Sequence, residues 1–401
     1  MTAVAQGFSP PIEKRRWGRS LPWDTVALVL QGGGALGSYQ AGVVEGLLEA
    51  EIEPDWVSGI SIGALNAAII AGNPPETRLA QLRAFWETIC RPALPVPAAD
   101  AVQAFIDVGG VEARKAFGAF EAWRAIIEGQ QGFFAPRGLA PWLGGKQPTT
   151  DVSFYDTRAL KSTLERFVDF DRINAGVMRC SVGAVEVHTG NFIYFDNTQG
   201  CAKGKLRAEH FMASGALPPG FPAIRVDGEA YWDGGLYSNT PLEAVLDDNP
   251  RRDSLIFGVN VWQPTGHEPE SLWQVMAREK DIRYASRDDG NIARQKQIHR
   301  LRHVIRELSN KLPADKQATA ECRDLASWGC GTTMHVVRLL APALDGEDLL
   351  KDLDFSASGI QFRCEAGYAD ARRMIERAPW ELPIDPMEGV IVHELSARKG
   401  D

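Results

Sequence analysis

The sequence of 401 residues contains no apolar run near the ~18 residues that a membrane-spanning helix needs. Its six cysteines are scattered and form no C-x-x-C pair, so the spacing of a zinc site is absent. We therefore expect reduced, mostly buried thiols and no metal. Residues 1–23 contain no apolar core of a secretory signal, and we interpret them as a flexible tail.

Basic residues are outnumbered by acidic ones. The chain has 43 lysines and arginines against 52 aspartates and glutamates, a formal net charge of −9. An acidic balance of this size argues against nucleic acid as a partner. We expect a cytoplasmic protein, and the basic cluster of Lys14, Arg15 and Arg16 leaves weak peripheral contact with a membrane surface as an alternative.

A serine flanked by glycines stands between a short apolar run and a helical stretch. The segment GISIG, from Gly59 to Gly63, follows the apolar residues 56 and 57 and precedes the small-residue run 64–71. The G-x-S-x-G spacing is typical of a sharp strand–turn–helix, because glycines leave room for a turn too tight for neighbouring side chains. Such a turn presents a hydroxyl to an ester carbonyl, so we predict that Ser61 is a nucleophile.

A second glycine-rich segment lies about thirty residues earlier, after the predicted strand 26–30. Residues 31–37, QGGGALG, open a helix predicted from about Ser38 to Ala50. Consecutive glycines let backbone N–H groups point outwards, and the positive end of the helix dipole adds to their attraction for negative charge. We assign an oxyanion hole to five residues of this loop: Gly32, Gly33, Gly34, Ala35 and Gly37.

The same loop fits the G-x-G-x-x-G pattern of a dinucleotide site. That site needs an acidic residue at the end of the second strand. Here the second strand is followed by Ser61, and the nearby acidic residues, within 51–55, precede it. We therefore favour an oxyanion hole over a cofactor site, and a reductase is a distant alternative.

The third motif is an aspartate before two glycines. The segment YWDGGLY, residues 231–237, places Asp233 ahead of Gly234 and Gly235, a tight-turn signature, among aromatic neighbours that predict a partly apolar pocket. No histidine stands in a glycine-framed turn that would present a catalytic imidazole; the seven are His188, His210, His267, His299, His303, His335 and His393. This combination favours a Ser–Asp dyad over a Ser-His-Asp triad.

Together these motifs resemble those of the patatin-like family of lipid acyl hydrolases, whose fold is shared with cytosolic phospholipases. The resemblance covers roughly residues 24–262 and rests on the three blocks in this order. The stretch ASGALPPGFP, residues 213–222, also resembles a segment that these proteins carry before the aspartate. The basic residue that many relatives have at the position of Leu36 is missing, and with it the support for a preference for anionic phospholipids.

The resemblance implies a serine acyl hydrolase acting on phospholipid or glyceride esters, without a cofactor or metal. Ser61 would attack the carbonyl, Asp233 would take its proton, and an acyl-enzyme would form beside the glycine-loop oxyanion hole. A transacylase or thioesterase uses the same chemistry and stays open. A non-catalytic lipid-binding protein is a further alternative, against which the intact motifs argue.

Alternating strands and helices predict an α/β fold: a three-layer sandwich with a mainly parallel central sheet flanked by helices and an appended helical C-terminal segment. We divide the chain into a catalytic domain at 24–262, with a helical cap insertion at 79–148, and a helix-rich extension at 263–401 that packs on it.

The extension contains one apolar seam within the predicted helical region 272–312. Its members recur every three or four residues and are flanked by basic residues; they are Ile298, Leu301, Ile305, Leu308 and Leu312. We expect this seam to pack on its own domain. A homo-oligomer formed through the region and a basic helix lying on a membrane surface are alternatives.

Overall fold

The structure, a computed structural model, describes residues 21–91, 99–138, 145–198, 205–285, 288–343 and 349–395. Eleven strands lie in these ranges: β1 (Thr25–Leu30), β2 (Trp56–Gly59), β3 (Ala135–Pro136), β4 (Tyr155–Asp156), β5 (Arg179–Glu186), β6 (Phe192–Asp196), β7 (Ile224–Val226), β8 (Glu229–Asp233), β9 (Ser254–Asn260), β10 (Met334–Leu340) and β11 (Val390–Glu394).

Helices separate most of these strands. In chain order they are α1 (Ser38–Glu49), α2 (Ile62–Gly72), α3 (Pro75–Ile89), α4 (Ala99–Glu128, kinked at Gly110), α5 (Arg158–Phe167), α6 (Phe170–Asn174), α7 (Ala208–Ser214), α8 (Glu243–Leu246), α9 (Leu272–Ala285), α10 (Asp288–Asn310), α11 (Ala314–Gln317), α12 (Ala320–Ala326) and α13 (Ala357–Arg377). Within the described ranges, every helix is too short or too polar to cross a bilayer.

A nine-stranded sheet forms the centre of the molecule, in the order β11-β10-β9-β1-β2-β5-β8-β7, with β6 also paired to β5. The six strands from β11 to β5 run parallel to one another. The pairs β5–β6, β5–β8 and β8–β7 are antiparallel. The carboxyl ends of β1 and β2 therefore lie side by side, with Leu30 opposite Gly59. This pairing brings the glycine loop and the serine turn to the same edge of the sheet.

Apolar layers cover both faces of the sheet. Alternate side chains of β1 point in opposite directions, so Leu28 and Leu30 enter the larger core, and Ala27 and Val29 enter a second core beneath α8 and α10. Every residue of β1 is buried, as expected for a strand in the middle of a parallel sheet. The predicted three-layer α/β fold is confirmed.

The C-terminal part of the chain contributes strands to this sheet. It is largely helical, as expected, but it also supplies β10, which pairs with β9 along seven residues, and β11, which the sequence did not predict. Helix α13 packs on α1 so closely that a Cβ on Gly42 would lie 1.8 Å from the carbonyl oxygen of Cys364. Residues beyond Trp262 thus complete the fold of the residues before it.

The predicted packing of the α10 seam on its own domain is wrong for three of its five members. The face of α10 that is buried against the domain carries Ile292 and three polar residues, Gln295, His299 and His303. Of the seam, Leu301 is 58%, Leu308 61% and Leu312 40% exposed, whereas Ile298 and Ile305 are half-buried. Apolar periodicity alone chose the wrong stripe, because the buried stripe is mostly polar.

The structure describes part of the predicted N-terminal tail and of the predicted cap. Residues 1–20 of the predicted tail lie outside the described ranges, whereas Trp23 packs on the ring of His335, 4.6 Å between centroids. The described residues of the predicted cap include most of α3, α4 and the short strand β3, and Phe85 and Trp86 of α3 are core residues. The five cysteines in the described ranges are free thiols; Cys180 alone is fully buried, and the sixth, Cys201, lies outside those ranges.

Candidate active site

Ser61 occupies a strained turn between β2 and α2. Its backbone dihedrals, φ 55° and ψ −125°, lie in a region that residues with a side chain rarely adopt. Residue 61 is also the N-cap of α2, where the positive end of the helix dipole faces the turn. The residue is partly exposed.

The two flanking glycines make the turn sterically feasible. A Cβ on Gly59 would lie 2.3 Å from the carbonyl oxygen of Gly63, and a Cβ on Gly63 would lie 2.3 Å from that of Leu30. Both distances are far inside van der Waals contact, so neither position accepts a larger residue without movement of the backbone. The G-x-S-x-G motif is therefore a packing requirement of this turn.

Asp233 ends β8 and is 2% exposed. Its Oδ1 accepts a hydrogen bond from the N–H of Gly235 at 2.7 Å, which fixes the carboxylate in the turn. Burial raises the pKa of Asp233 to about 7, although the Gly235 N–H and an interaction with the Ser61 hydroxyl both lower it. A carboxyl group with this pKa exchanges a proton near neutral pH, as a general base must.

The segment 213–222 joins the serine turn to the aspartate. The N–H of Ser61 donates to both the carbonyl oxygen and Oγ of Ser214, each at 3.1 Å. Two residues further on, the carbonyl oxygen of Ala216 accepts from the N–H of Asp233 at 3.0 Å. This stretch therefore holds the backbones of both candidate catalytic residues.

The glycine loop corrects one assignment. The N–H of Gly32 donates to the carbonyl oxygen of Asn239 at 3.1 Å, so it is not free to bind an oxyanion. The Gly32 carbonyl oxygen accepts from Nε1 of Trp262 at 2.7 Å and from Nδ2 of Asn239 at 3.0 Å. A Cβ on Gly32 would lie 3.0 Å from Cβ of Ser61. Gly32 therefore anchors the loop beside the serine.

The next three residues leave their N–H groups available. Gly33 is the N-cap of a short 3-10 helix, Gly34–Gly37, and the first N–H groups of a helix have no partner within it. No hydrogen bond joins the N–H of Gly33 or Gly34 to another residue of the described ranges. Gly37 serves close packing, since a Cβ there would lie 2.7 Å from Cγ2 of Ile62.

A buried polar network, which the sequence did not reveal, holds this loop. The Oε1 atom of Gln31 accepts from the N–H groups of Val261 at 2.6 Å and Trp262 at 3.1 Å, while its Nε2 donates to Oγ1 of Thr240 at 2.8 Å. The Gln31 carbonyl oxygen accepts from Nε2 of Gln40 at 2.7 Å. The available signal was a pair of glutamines inside otherwise apolar segments.

The C-terminal part also reaches the loop. The carbonyl oxygen of Tyr284 accepts from Nε2 of Gln31 at 3.3 Å, and its ring packs on Trp262, 4.9 Å between centroids. Burial raises the pKa of Tyr284, and the nearby charge of Asp233 raises it further. The carbonyl oxygen of Asp352 would lie 2.3 Å from a Cβ on Gly34.

Two basic side chains from the C-terminal part of the chain lie near Leu36. Lys351 and Arg363 line one small cavity with Leu36, and each is paired: Nζ of Lys351 lies 2.8 Å from Asp281, and Nη2 of Arg363 lies 3.2 Å from Asp354. The cations of these two ion pairs lie more than 300 positions from Leu36 in the chain.

No histidine takes part in the site. Within the described ranges, no hydrogen bond links a histidine to Ser61 or Asp233. His303 contacts the carbonyl oxygens of Thr332 and Pro386, and His335 contacts His393 at 2.9 Å. In the same ranges, no group of three or more histidine, cysteine or acidic side chains has the arrangement of a metal site.

The protein thus has an α/β fold with a strained serine turn, a glycine loop and a buried aspartate at one edge of the sheet. A family model of patatin-like phospholipases matches residues 28–246, more than half of the chain, and a second model, described as patatin phospholipase, matches residues 282–387. The chain belongs to the patatin-like phospholipase family, which confirms the resemblance drawn from the motifs.

Relatives match over short stretches. The chain is 41% identical over 71 residues to patatin-like phospholipase domain-containing protein 6 of Homo sapiens, covering 18% of this chain and 5% of that protein. It is 50% identical over 56 residues to lysophospholipase nte1 of Aspergillus terreus, covering 14% and 4%. The chain thus spans a small part of the length of these relatives.

Two solved structures are also similar. VipD from Legionella pneumophila has 15% sequence identity and a TM-score of 0.39, covering 92% of this chain and 69% of that one. Human GIVD cytosolic phospholipase A2, in complex with methyl gamma-linolenyl fluorophosphonate, has 12% identity and a TM-score of 0.29, covering 58% and 39%.

Proposed function

We propose that this protein is a serine acyl hydrolase that cleaves acyl esters of lipids, either phospholipids or glycerides. The observation that carries the proposal is the pairing of a strained, partly exposed Ser61 with the buried Asp233, whose pKa burial raises to about 7. Membership of the patatin-like phospholipase family supports a lipid substrate.

The first half of the reaction forms an acyl-enzyme. The Asp233 carboxylate takes the proton of the Ser61 hydroxyl as Oγ attacks the carbonyl carbon of the ester. The resulting oxyanion is held by the N–H groups of Gly33 and Gly34, with Ala35 as a further donor. When the tetrahedral intermediate collapses, the alcohol leaves with the proton from Asp233, and the acyl group stays on Ser61.

The second half releases the acid. Asp233 takes a proton from water, the water oxygen attacks the acyl carbon, and the same N–H groups hold the second oxyanion. Collapse returns the proton to Ser61 Oγ and frees the fatty acid. Removal of one oxyanion donor costs about 10²–10³ in rate in other serine enzymes, so the glycine loop contributes on the scale of the catalytic residues.

The proposal is tested with a fluorophosphonate probe and with p-nitrophenyl esters of several chain lengths. We compare the native protein, Ser61→Ala, Asp233→Asn and the matched control Asp171→Asn, which alters an exposed carboxylate outside the site. We expect labelling at Ser61 and ester turnover in the native protein and the control. Ser61→Ala should abolish both, and Asp233→Asn should reduce both by about 10²–10⁴.

Other outcomes separate the alternatives. Labelling of Ser61 without release of fatty acid to water, but with transfer to an added alcohol or thiol, would identify a transacylase. Absence of labelling and turnover in folded protein, also in the presence of lipid vesicles, would overturn the proposal in favour of a binding protein.

A further inference from the structure

Helix α10 presents two very different faces. One face is buried against the domain through Ile292, Gln295, His299 and His303. Since successive residues of a helix are about 100° apart, the residues near 301 and 308 lie opposite that buried face. This outward face carries apolar side chains: Leu301 is 58% exposed, Val304 36% and Leu308 61%.

Basic residues border the apolar stripe. Between positions 294 and 311 the chain has six lysines and arginines and one acidic residue, Glu307, which gives +5 in a protein of net charge −9. Arg300 and Lys311 lie about 80–100° to one side of Leu301, and Arg302 lies about 100° to the other. From these borders, long basic side chains can reach lipid headgroups while the apolar stripe faces the bilayer.

Ion pairing sets these cations apart from several other arginines of the protein. In the part of the chain that the structure describes, no carboxylate lies within ion-pair distance of the six, which are Arg294, Lys296, Arg300, Arg302, Arg306 and Lys311. Elsewhere on the protein, arginines are commonly paired; Arg179, for example, contacts both Asp196 and Asp248, and Arg338 contacts Asp289 and Glu394. The exposed cations Arg294, Arg300 and Lys311 are therefore available to an outside partner, whereas Arg302 is half-buried and the Arg306 guanidinium packs against Gly331.

We propose that the outward face of α10 docks the protein on the surface of a bilayer that contains anionic lipids. An apolar stripe bordered by cations is suited to lie in the interfacial plane, with the leucines among the acyl chains and the arginines at the phosphates. A nucleic acid would leave the apolar stripe exposed to water.

A second copy of the chain fits this face less well. A symmetric dimer places the same patch on both partners, so the cations between positions 294 and 311 of two copies would approach each other, with Glu307 as the one acidic residue of that segment in each copy. Like charges at such spacing are unfavourable. A bilayer with anionic headgroups offers the opposite charge over the whole face.

The test measures co-sedimentation with vesicles, using the Ser61→Ala variant as the background, so that the result does not depend on the proposed hydrolysis. Vesicles of phosphatidylcholine alone are compared with vesicles that also contain phosphatidylglycerol, at low and high salt. On this background we compare Leu301→Gln/Leu308→Gln and Arg300→Gln/Lys311→Gln. Two matched controls, Leu382→Gln and Lys146→Gln/Arg252→Gln, alter exposed residues outside α10.

We expect binding that requires phosphatidylglycerol and weakens with salt. Each basic residue near such a surface contributes about a fivefold factor, so Arg300→Gln/Lys311→Gln should weaken binding about 25-fold at low salt. The leucine variant should weaken it at least about tenfold. The controls should bind like the background protein, and circular dichroism should show that all variants are folded.

Three results would overturn the inference. The first is no binding to either vesicle, and the second is equal binding by the α10 variants and the controls. The third is a dimer, seen by light scattering, that Leu301→Gln/Leu308→Gln dissociates, which would show that a second copy covers this face.

Discussion

Asn239 holds Gly32 by two hydrogen bonds. Its side-chain Nδ2 donates to the Gly32 carbonyl oxygen at 3.0 Å, and its own carbonyl oxygen accepts from the Gly32 N–H at 3.1 Å. Asn239 lies six residues after Asp233, so this pair ties the aspartate turn to the glycine loop. The candidate base and the candidate oxyanion hole are thereby fixed relative to each other.

Replacing Asn239 with alanine should therefore impair catalysis without removing a reacting group. The side-chain bond to Gly32 would be lost, and the loop would be less well placed to hold the oxyanion. We expect kcat/KM for a p-nitrophenyl ester to fall about 10- to 10²-fold. Asn191→Ala, in an exposed hairpin turn, is the control and should leave kcat/KM unchanged. Equal rates for both variants would show that the clamp has no catalytic role.

The pH dependence of activity should follow Asp233. Because the base must be unprotonated and burial raises its pKa to about 7, kcat/KM should rise with pH and level off above about pH 8. The measurement is an ester-hydrolysis profile from pH 5 to 9, with fluorophosphonate labelling rates as a second readout. A rate that is already flat at pH 5 would show that a different group is the base.

Asp233→Asn should stabilise the folded protein at high pH. Because the pKa of Asp233 is raised in the folded state, the carboxyl group is protonated there between about pH 4 and 7, whereas it is ionised in the unfolded state. The native protein therefore loses stability as the pH rises through this window. At pH 8 the buried charge costs up to about 4 kcal/mol, by about 1.4 kcal/mol per pKa unit, and asparagine avoids this cost. Urea unfolding at pH 5 and pH 8 measures the difference, which should be larger at pH 8. The same gain at both pH values would exclude the charge as its cause.

Gln31→Leu should destabilise the protein from within the site. It would leave the N–H groups of Val261 and Trp262 buried without acceptors, and each unsatisfied group costs about 1–3 kcal/mol. We expect the free energy of unfolding to fall by roughly 2–6 kcal/mol. Gln131→Leu, at an exposed position, should change it by less than about 0.5 kcal/mol. A small effect at Gln31 would mean that water replaces its amide.

The contact between α1 and α13 offers a test of the role of the C-terminal part. A Cβ on Gly367 would lie 2.0 Å from the carbonyl oxygen of Tyr39, so Gly367→Ala must push the two helices apart. We expect the free energy of unfolding, measured with urea, to fall by about 1–3 kcal/mol or more. Gly290→Ala, also in a helix but with open space around it, should be neutral or stabilising by up to about 1 kcal/mol. Equal effects would mean that α13 is only loosely attached.

The sequence predicted local features of this protein well. The turns at Ser61 and Asp233 need glycine at particular positions, because the backbone there leaves no room for a side chain, and that requirement is visible in a few neighbouring letters. The alternation of apolar strands with helices likewise predicted the layered α/β fold, because a parallel sheet needs helical connections.

Features that depend on distant partners were decided by the tertiary structure. Which glycine N–H groups are free depends on Asn239, more than 200 residues from the loop, so Gly32 could not be told from Gly33 in the sequence. The buried face of α10 carries Gln295, whose Nε2 donates to Asp247, and His303, which contacts two backbone carbonyl oxygens, so the apolar stripe around Leu301 and Leu308 lies outside. The place of β10 beside β9 also depends on a pairing between distant segments. Local sequence therefore determined the turns and the element types, and long-range contacts determined which groups those turns bring together.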